Sequence, residues 1–190
     1  MAMIDMRRSR PYDLNKIYIR RAQSDDLNKI KRLYQKVASQ GGGLVRECEE
    51  ITVEYVEGFM SHSRESGIEL VAMDNSTGDI VGELHAYQPG LNVFKHVLGN
   101  LTIAIDPQFQ GTGIGKSLFN AFFSWVEKEK PEILRVELIV RETNKRAIGL
   151  YESLGFQIEG KMERRILGVT GELEADIPMA WVRSVVNQKG

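Results

Sequence analysis

The chain has little of what several protein classes require. Its single cysteine excludes an internal disulfide framework, and neither that cysteine nor its three histidines fall at metal-ligand spacing, so no metal is expected. No apolar run is long enough for a transmembrane helix, so no membrane partner is expected either. Basic and acidic side chains nearly cancel, 25 against 26, and no overall positive field argues for nucleic acid. No Pro/Gly/Ser-rich linker divides the 190 residues, a length that suits one domain with a substantial core. Residues 1–16 carry Arg7, Arg8 and Arg10 but no apolar stretch that could serve as a signal-peptide core. They read as a peripheral arm before a domain over 17–190. The expectation is a soluble, cytoplasmic protein.

Periodicity gives a coarse order of elements. Residues 17–21 alternate like a short strand, and Ser24 is placed to cap a helix whose apolar face carries Leu27, Ile30, Leu33, Tyr34 and Val37. A second helix is expected over 52–62, with Tyr55, Val56 and Phe59 as its stripe. Residues 68–73 and 80–87 read as a hairpin across the turn formers 75–79. A strand over 96–105 follows, then a helix with Ile114, Leu118, Phe122 and Trp125 on one side, ended by Pro131. Residues 135–140 form a strand and 144–154 a helix with Gly155 at its left-handed cap. Phe156 opens another strand, and a last one follows the turn at Val169-Thr170-Gly171, with Ile177, Met179 and Trp181 alternating. Pro178 argues for an edge position or a bulge there.

Between strand 96–105 and the next helix lies Gln110-Gly111-Thr112-Gly113-Ile114-Gly115-Lys116-Ser117. Glycines at alternate positions let the backbone turn sharply and present successive N–H groups, and the helix adds its positive end, so an anion should sit there. Gly115-Lys116-Ser117 fits the second half of a nucleotide-hydrolase P-loop, but Gln110 stands where that loop needs its first glycine. The strand over 135–140 also lacks a terminal aspartate for magnesium. A P-loop-like hydrolase therefore ranks behind another reading.

Gln110-x-x-Gly113-x-Gly115 resembles the coenzyme motif of the GNAT family of N-acetyltransferases. A second stretch, Asn144-Lys145-Arg146-Ala147-Ile148-Gly149-Leu150-Tyr151-Glu152-Ser153-Leu154-Gly155-Phe156, is similar to that family's Asn-x-x-Ala-x-x-Leu-Tyr-x-x-x-Gly-Phe block. The resemblance covers roughly residues 17–186. It implies an α/β fold: a mixed, mainly antiparallel sheet of about seven strands, splayed between the fourth (96–105) and the fifth (135–140), with about four helices. It also implies transfer of an acetyl group from acetyl-coenzyme A to a primary amine of a small molecule, an amino acid, polyamine or similar, by direct attack. The alternatives are a protein N-terminus or lysine as acceptor, and a non-catalytic acyl-coenzyme A-binding module. A homodimer is implied by the resemblance alone.

The resemblance sets Ile103, Ala104 and Ile105 beside the coenzyme, with Gln110, Gly111, Thr112, Gly113, Ile114, Gly115, Lys116 and Ser117 around its pyrophosphate and Asn144 and Ala147 on its arm. Tyr151 takes the position of the acid that protonates the leaving thiolate; from helix periodicity alone it is a core aromatic. Asn144 reads equally as a helix N-cap. For the base that frees the amine, Glu83, His85 and His96 are the candidates, with water as another route. Glu83 and His85 share one strand face. His96 precedes Leu98-Gly99-Asn100-Leu101 in a pattern similar to a GNAT subgroup acting on amino acids or related small amines. Acceptor contacts are expected within 41–62, 87–97 and 165–176, where Glu47, Glu49, Glu50 and Glu54 would attract a cation or form a plain solvated face. Cys48 sits among carboxylates that disfavour a thiolate, so it is no nucleophile.

Overall fold

A computed structural model describes residues 16–41, 43–168 and 171–184. Most of the N-terminal arm, and residues 169 and 170 of the last expected turn, lie outside the described residues. Among the described residues eight strands form one mostly antiparallel sheet: β1 (Ile17–Arg21), β2 (Gly67–Asp74), β3 (Asp79–Tyr87), β4 (Val97–Ile105), β5 (Arg135–Arg141), β6 (Gln157–Ile158), β7 (Met162–Leu167) and β8 (Leu173–Val182). Their order is β1-β2-β3-β4-β5-β8-β6, with β7 also on β8. The described residues flank it with four helices: α1 (Leu27–Ala38), α2 (Val53–Ser66), α3 (Ile114–Glu129) and α4 (Lys145–Ser153). Among the described residues no helix is long and apolar enough to cross a membrane.

The helices divide the core by face. Ile30, Leu33, Tyr34 and Val37 of α1 and Val56, Phe59 and Met60 of α2 pack with Val71, Met73 and Ala104 on one side of the sheet. On the other side Leu118, Phe119, Phe122 and Trp125 of α3 meet Leu70, Leu84, Leu98 and Val136. Successive strand side chains point to opposite faces, so β3 gives Leu84 to α3 while Glu83 and His85 go under α1 and α2.

Three expectations are corrected. Ser24 lies in a 3₁₀ turn over Ser24–Asp26, and α1 starts only at Leu27. The Asp26 carboxylate accepts from Gln23 N–H and pairs with Arg20, which pins the turn that precedes the helix. Pro178 is not on an edge, because β8 lies between β5 and β6. Its missing donor is tolerated because β6 breaks off opposite it. Glu159 N–H still donates to Pro178 C=O, and from Ile158↔Met179 to Met162↔Asp176 one extra residue bulges on the partner strand. That bulge also divides the single strand expected after Phe156 into β6 and β7, which raises the strand count.

The only parallel pairing among the described residues, β4 with β5, lasts for Val97↔Arg135 and Leu98↔Val136. Beyond Leu98 the two strands part. At that point Gly99 to Thr102 of β4 oppose only Tyr87 to His85 of β3, and the extra residue, Asn100, is left-handed with φ 51°. Asparagine tolerates that region better than most residues. The bulge turns β4 away from β5, and α4 lies at the opening.

Candidate active site

The opening is a cleft of about 590 Å³, lined by Ile103 and Ile105 from β4, by Gln110, Gly111, Gly113, Ile114, Gly115 and Lys116, and by Asn144, Ala147, Leu150 and Tyr151 of α4 and its cap. The segment after α1 closes one side with Gln40, Gly41 and Gly43. Lys36 of α1 grips Asp106 at 2.7 Å, and Asp106 also accepts from Gln108 N–H. This joint holds α1 against the start of the glycine loop.

In the loop, Gly111 and Gly113 have φ of 76° and 98°, values that glycine reaches without cost. Thr112 folds back, its N–H and its hydroxyl both donating to Phe109 C=O. Ser117 N–H donates to Gly113 C=O, so the amides of Ile114, Gly115 and Lys116 are the unpaired first turn of α3. Lys116 adds a cation at the rim. Arg146, which periodicity did not single out, reaches Gln110 Oε1 at 3.4 Å and lines the same cleft. Unpaired N–H groups, a helix N-terminus and two cations make a cradle for a polyphosphate.

Asn144 Oδ1 accepts from Ala147 N–H at 3.1 Å, so the N-cap reading holds, while Asn144 also lines the cleft. Tyr151 is only 7% exposed, packed edge-on against Phe119. Burial drives its phenol well above the ordinary tyrosine range, so it stays protonated. Tyr34 and Tyr151 differ in one respect: the Tyr34 hydroxyl is bonded internally, whereas the Tyr151 hydroxyl finds no partner among the described residues and its side chain lines the cleft.

Not every expected residue reaches the cleft. Ala104 points into the α1/α2 core, and Thr112 and Ser117 shape the loop rather than line it. His96 sits at the closed end of the splay, where its carbonyl accepts from Leu134 and Arg135, and it does not line the cleft. Glu83 is fully buried. Its Oε2 accepts from the Tyr34 hydroxyl at 2.5 Å and its Oε1 lies 3.1 Å from His85 Nδ1. His85 stacks on Phe59 at 4.1 Å between ring centroids and stands across from Thr102, just past the bulge at Asn100. Beside them Glu69, paired in register with His85, is pushed up to about 9 by burial and by the Glu83 charge. The acidic residues Glu47 and Glu50 cap one another's turn at the surface.

Comparison with known proteins agrees with this geometry. The family described as acetyltransferase (GNAT) domain matches residues 65–158, the span holding the splay, the glycine loop and α4. The [ribosomal protein bS18]-alanine N-acetyltransferase of Escherichia coli (strain K12) is 40% identical over 78 residues, 41% of this chain and 51% of that protein. The chain thus spans about half the length of the curated relatives it matches. Among solved structures, an acetyltransferase of GNAT family from Streptococcus pneumoniae shares the fold with TM-score 0.78 at 24% identity, over 88% of this chain and 99% of that one. A Salmonella typhimurium protein solved with its cofactor acetyl-CoA superposes with TM-score 0.77 at 17% identity, over 90% and 96% of the two chains. With the matched domain centred on the cleft and the fold shared almost end to end, residues 65–158 of the chain are a GNAT acetyltransferase domain.

Proposed function

We propose that the chain is an acetyl-coenzyme A-dependent N-acetyltransferase whose acceptor is the primary amine of a small molecule. The observation that carries this reading is the meeting, in one cleft, of a cradle of unpaired loop amides with a buried, protonated phenol, Tyr151, that has no partner among the described residues.

The bound coenzyme supplies an acetyl group activated as a thioester; the amine forms a C–N bond to its carbonyl carbon as the C–S bond breaks. The chain's own residues do the rest. Gly111, Gly113 and the first amides of α3, with Lys116 and Arg146, hold the pyrophosphate. The β4 edge freed by the splay, around Ile103 and Ile105, and the Asn144 carboxamide hold the arm, which fixes the reacting carbon and removes the entropy cost of encounter. Backbone N–H groups at the Asn100 bulge are the donors nearest the splay for a developing oxyanion; a single such donor is typically worth about 3 kcal/mol. The Tyr151 hydroxyl donates to the sulfur as it leaves. His85, oriented by Glu83 and Tyr34, receives the amine proton through the Thr102 side of β4, since the Glu83 carboxylate is taken up by the Tyr34 hydroxyl and by His85 itself.

Titration with acetyl-coenzyme A tests the first half of this reading. At a hundred times the dissociation constant, one-site binding stabilises by about 2.7 kcal/mol, which should raise the melting midpoint by roughly 5 to 10 °C for a domain of this size. A shift with magnesium-ATP and none with acetyl-coenzyme A would sink the assignment. Release of free coenzyme A thiol across a panel of amines tests the second half and separates an enzyme from a silent binder. A second reading, acetylation of a protein N-terminus, is favoured by the name of the E. coli relative; it predicts that alanine-initiated peptides outrun every small amine in that panel.

A further inference from the structure

On the α2 side of the β4 bulge lies a row of rings of which proton transfer uses only the inner members, Tyr34 and His85. Tyr34, Phe59 and His85 stack in the interior, and the row continues outward through Tyr55, 6.3 Å from Tyr34, and Tyr87, 6.1 Å from His85. Over Tyr55 sits the guanidinium of Arg46, 4.0 Å from the ring centroid. Arg46 comes from the same segment whose Gly41 and Gly43 line the coenzyme cleft.

Arg46 is unlike the arginines of the sheet. Arg20, Arg135 and Arg141 are each taken up by carboxylates, Asp26, Glu159 and Glu174. No carboxylate pairs with Arg46 among the described residues, although Glu47, Glu49 and Glu50 follow it closely in sequence. It is exposed, held by its stack on Tyr55 and a side-chain hydrogen bond to that phenol, and its charge reaches both Tyr55 and Tyr87. Burial raises both phenols above the ordinary tyrosine range, so they remain neutral O–H donors. Tyr87 lies opposite Gly99, and His85 opposite Thr102, on either side of the bulge. A guanidinium has five N–H donors, and one bond to Tyr55 leaves the planar fork with donors to spare; beside two phenols it suits a carboxylate, which it binds by paired, charge-assisted hydrogen bonds. Glu83 and His85, one ring further in, offer the opposite polarity.

We infer that Arg46, stacked on Tyr55 and flanked by Tyr87, binds a carboxylate of the acceptor, so that the acceptor is a free amino acid whose amine faces His85. This rests on the transferase reading above. It makes Arg46 a specificity-determining residue, set where the amine and the acid of one zwitterion meet groups of complementary charge.

The test is steady-state acetylation, followed by coenzyme A thiol release, of the common amino acids, their methylamides, putrescine and an alanine-initiated peptide amide. The enzymes are the full chain, Arg46→Gln and Arg46→Lys. For the best amino acid, kcat/KM should exceed that of its methylamide by about tenfold or more. Arg46→Gln should erase that ratio by raising KM for the acid while leaving methylamide turnover and acetyl-coenzyme A affinity unchanged. Arg46→Lys, which keeps the charge and loses the fork, should recover only part of it. Equal rates on acid and methylamide, or a peptide amide or putrescine preferred over every amino acid, would overturn Arg46 as a carboxylate site and leave the transferase standing. No transfer to any amine despite acetyl-coenzyme A binding would overturn both.

Discussion

The Tyr34 hydroxyl donates to Glu83 Oε2 at 2.5 Å across 49 residues of sequence, tying α1 to β3 beneath the sheet face. Burial and the Glu83 charge together drive that phenol far above its ordinary range, so the proton stays on Tyr34. A hydrogen bond to a charged, buried acceptor typically contributes about 1.5–3 kcal/mol. Tyr34→Phe should therefore lower stability by about that much, read as a shift of the urea midpoint at unchanged slope. It should also slow turnover without weakening acetyl-coenzyme A binding, because only the orientation of Glu83 and His85 changes. A variant as stable and as active as the parent would remove the pair from both roles.

Glu69 gives the protein a pH signature. Its folded carboxyl is raised to about 9, against an unfolded value near 4.3, and its Oε1 is buried without a partner. Below about pH 4 both states carry the proton and Glu69 takes nothing from stability. As pH rises from about 4.3 to about 9, the unfolded state ionises while the folded state keeps its proton, so this contribution is lost progressively. Glu69→Gln, neutral in both states, should be more stable than the parent at pH 8, by an amount on the order of a few kcal/mol. The gap should shrink towards pH 5. Parallel stability curves across that window would show that Glu69 is ionised in the fold.

Some of this was legible in the chain and some was not, for physical reasons. The Gly113 loop and the Asn144-to-Phe156 block declare themselves because they encode backbone geometry, which depends on spacing and needs no distant partner. The Asn100 bulge also left a trace: apolar positions pass from Leu98 to Leu101, Ile103 and Ile105, a change of phase that a single strand over 96–105 conceals. Pro178 argued for an edge or a bulge without choosing between them, because a missing N–H constrains one side of one residue, whereas strand order depends on the whole sheet. Tyr34 and Phe59 read correctly as core, but their meeting with Glu83 and His85 is long-range packing. Arg46 gave no signal, since its stack on Tyr55 exists only once the segment after α1 folds over α2.

Gly113 separates two costs within the loop. Its φ of 98° is one that alanine reaches only with strain, although nothing lies within 4 Å of the added Cβ. Gly113→Ala should thus lose about 1–2 kcal/mol of stability from backbone conformation alone. If the amides around it form the pyrophosphate cradle, acetyl-coenzyme A affinity should fall by roughly tenfold or more, since each 1.4 kcal/mol of lost interaction is tenfold. Calorimetry separates the two. A destabilised variant with unchanged affinity would move the phosphate site elsewhere.

Tyr151 provides the sharpest contrast with Tyr34, because its hydroxyl has no partner among the described residues. Removing a hydroxyl that makes no internal bond leaves no orphaned group behind, so Tyr151→Phe should be within about 0.5 kcal/mol of the parent in stability. Acetyl-coenzyme A binding should also persist, since the ring still packs against Phe119 and Phe156. Turnover should fall by roughly 10²-fold or more, the usual scale for a lost proton donor. Burial holds the Tyr151 phenol well above the ordinary range, so the parent's pH–rate profile should show no loss of activity from this group below about pH 10. A variant that loses stability instead of turnover would mean that the hydroxyl is bonded within the fold, and the acid would have to be sought elsewhere in the cleft.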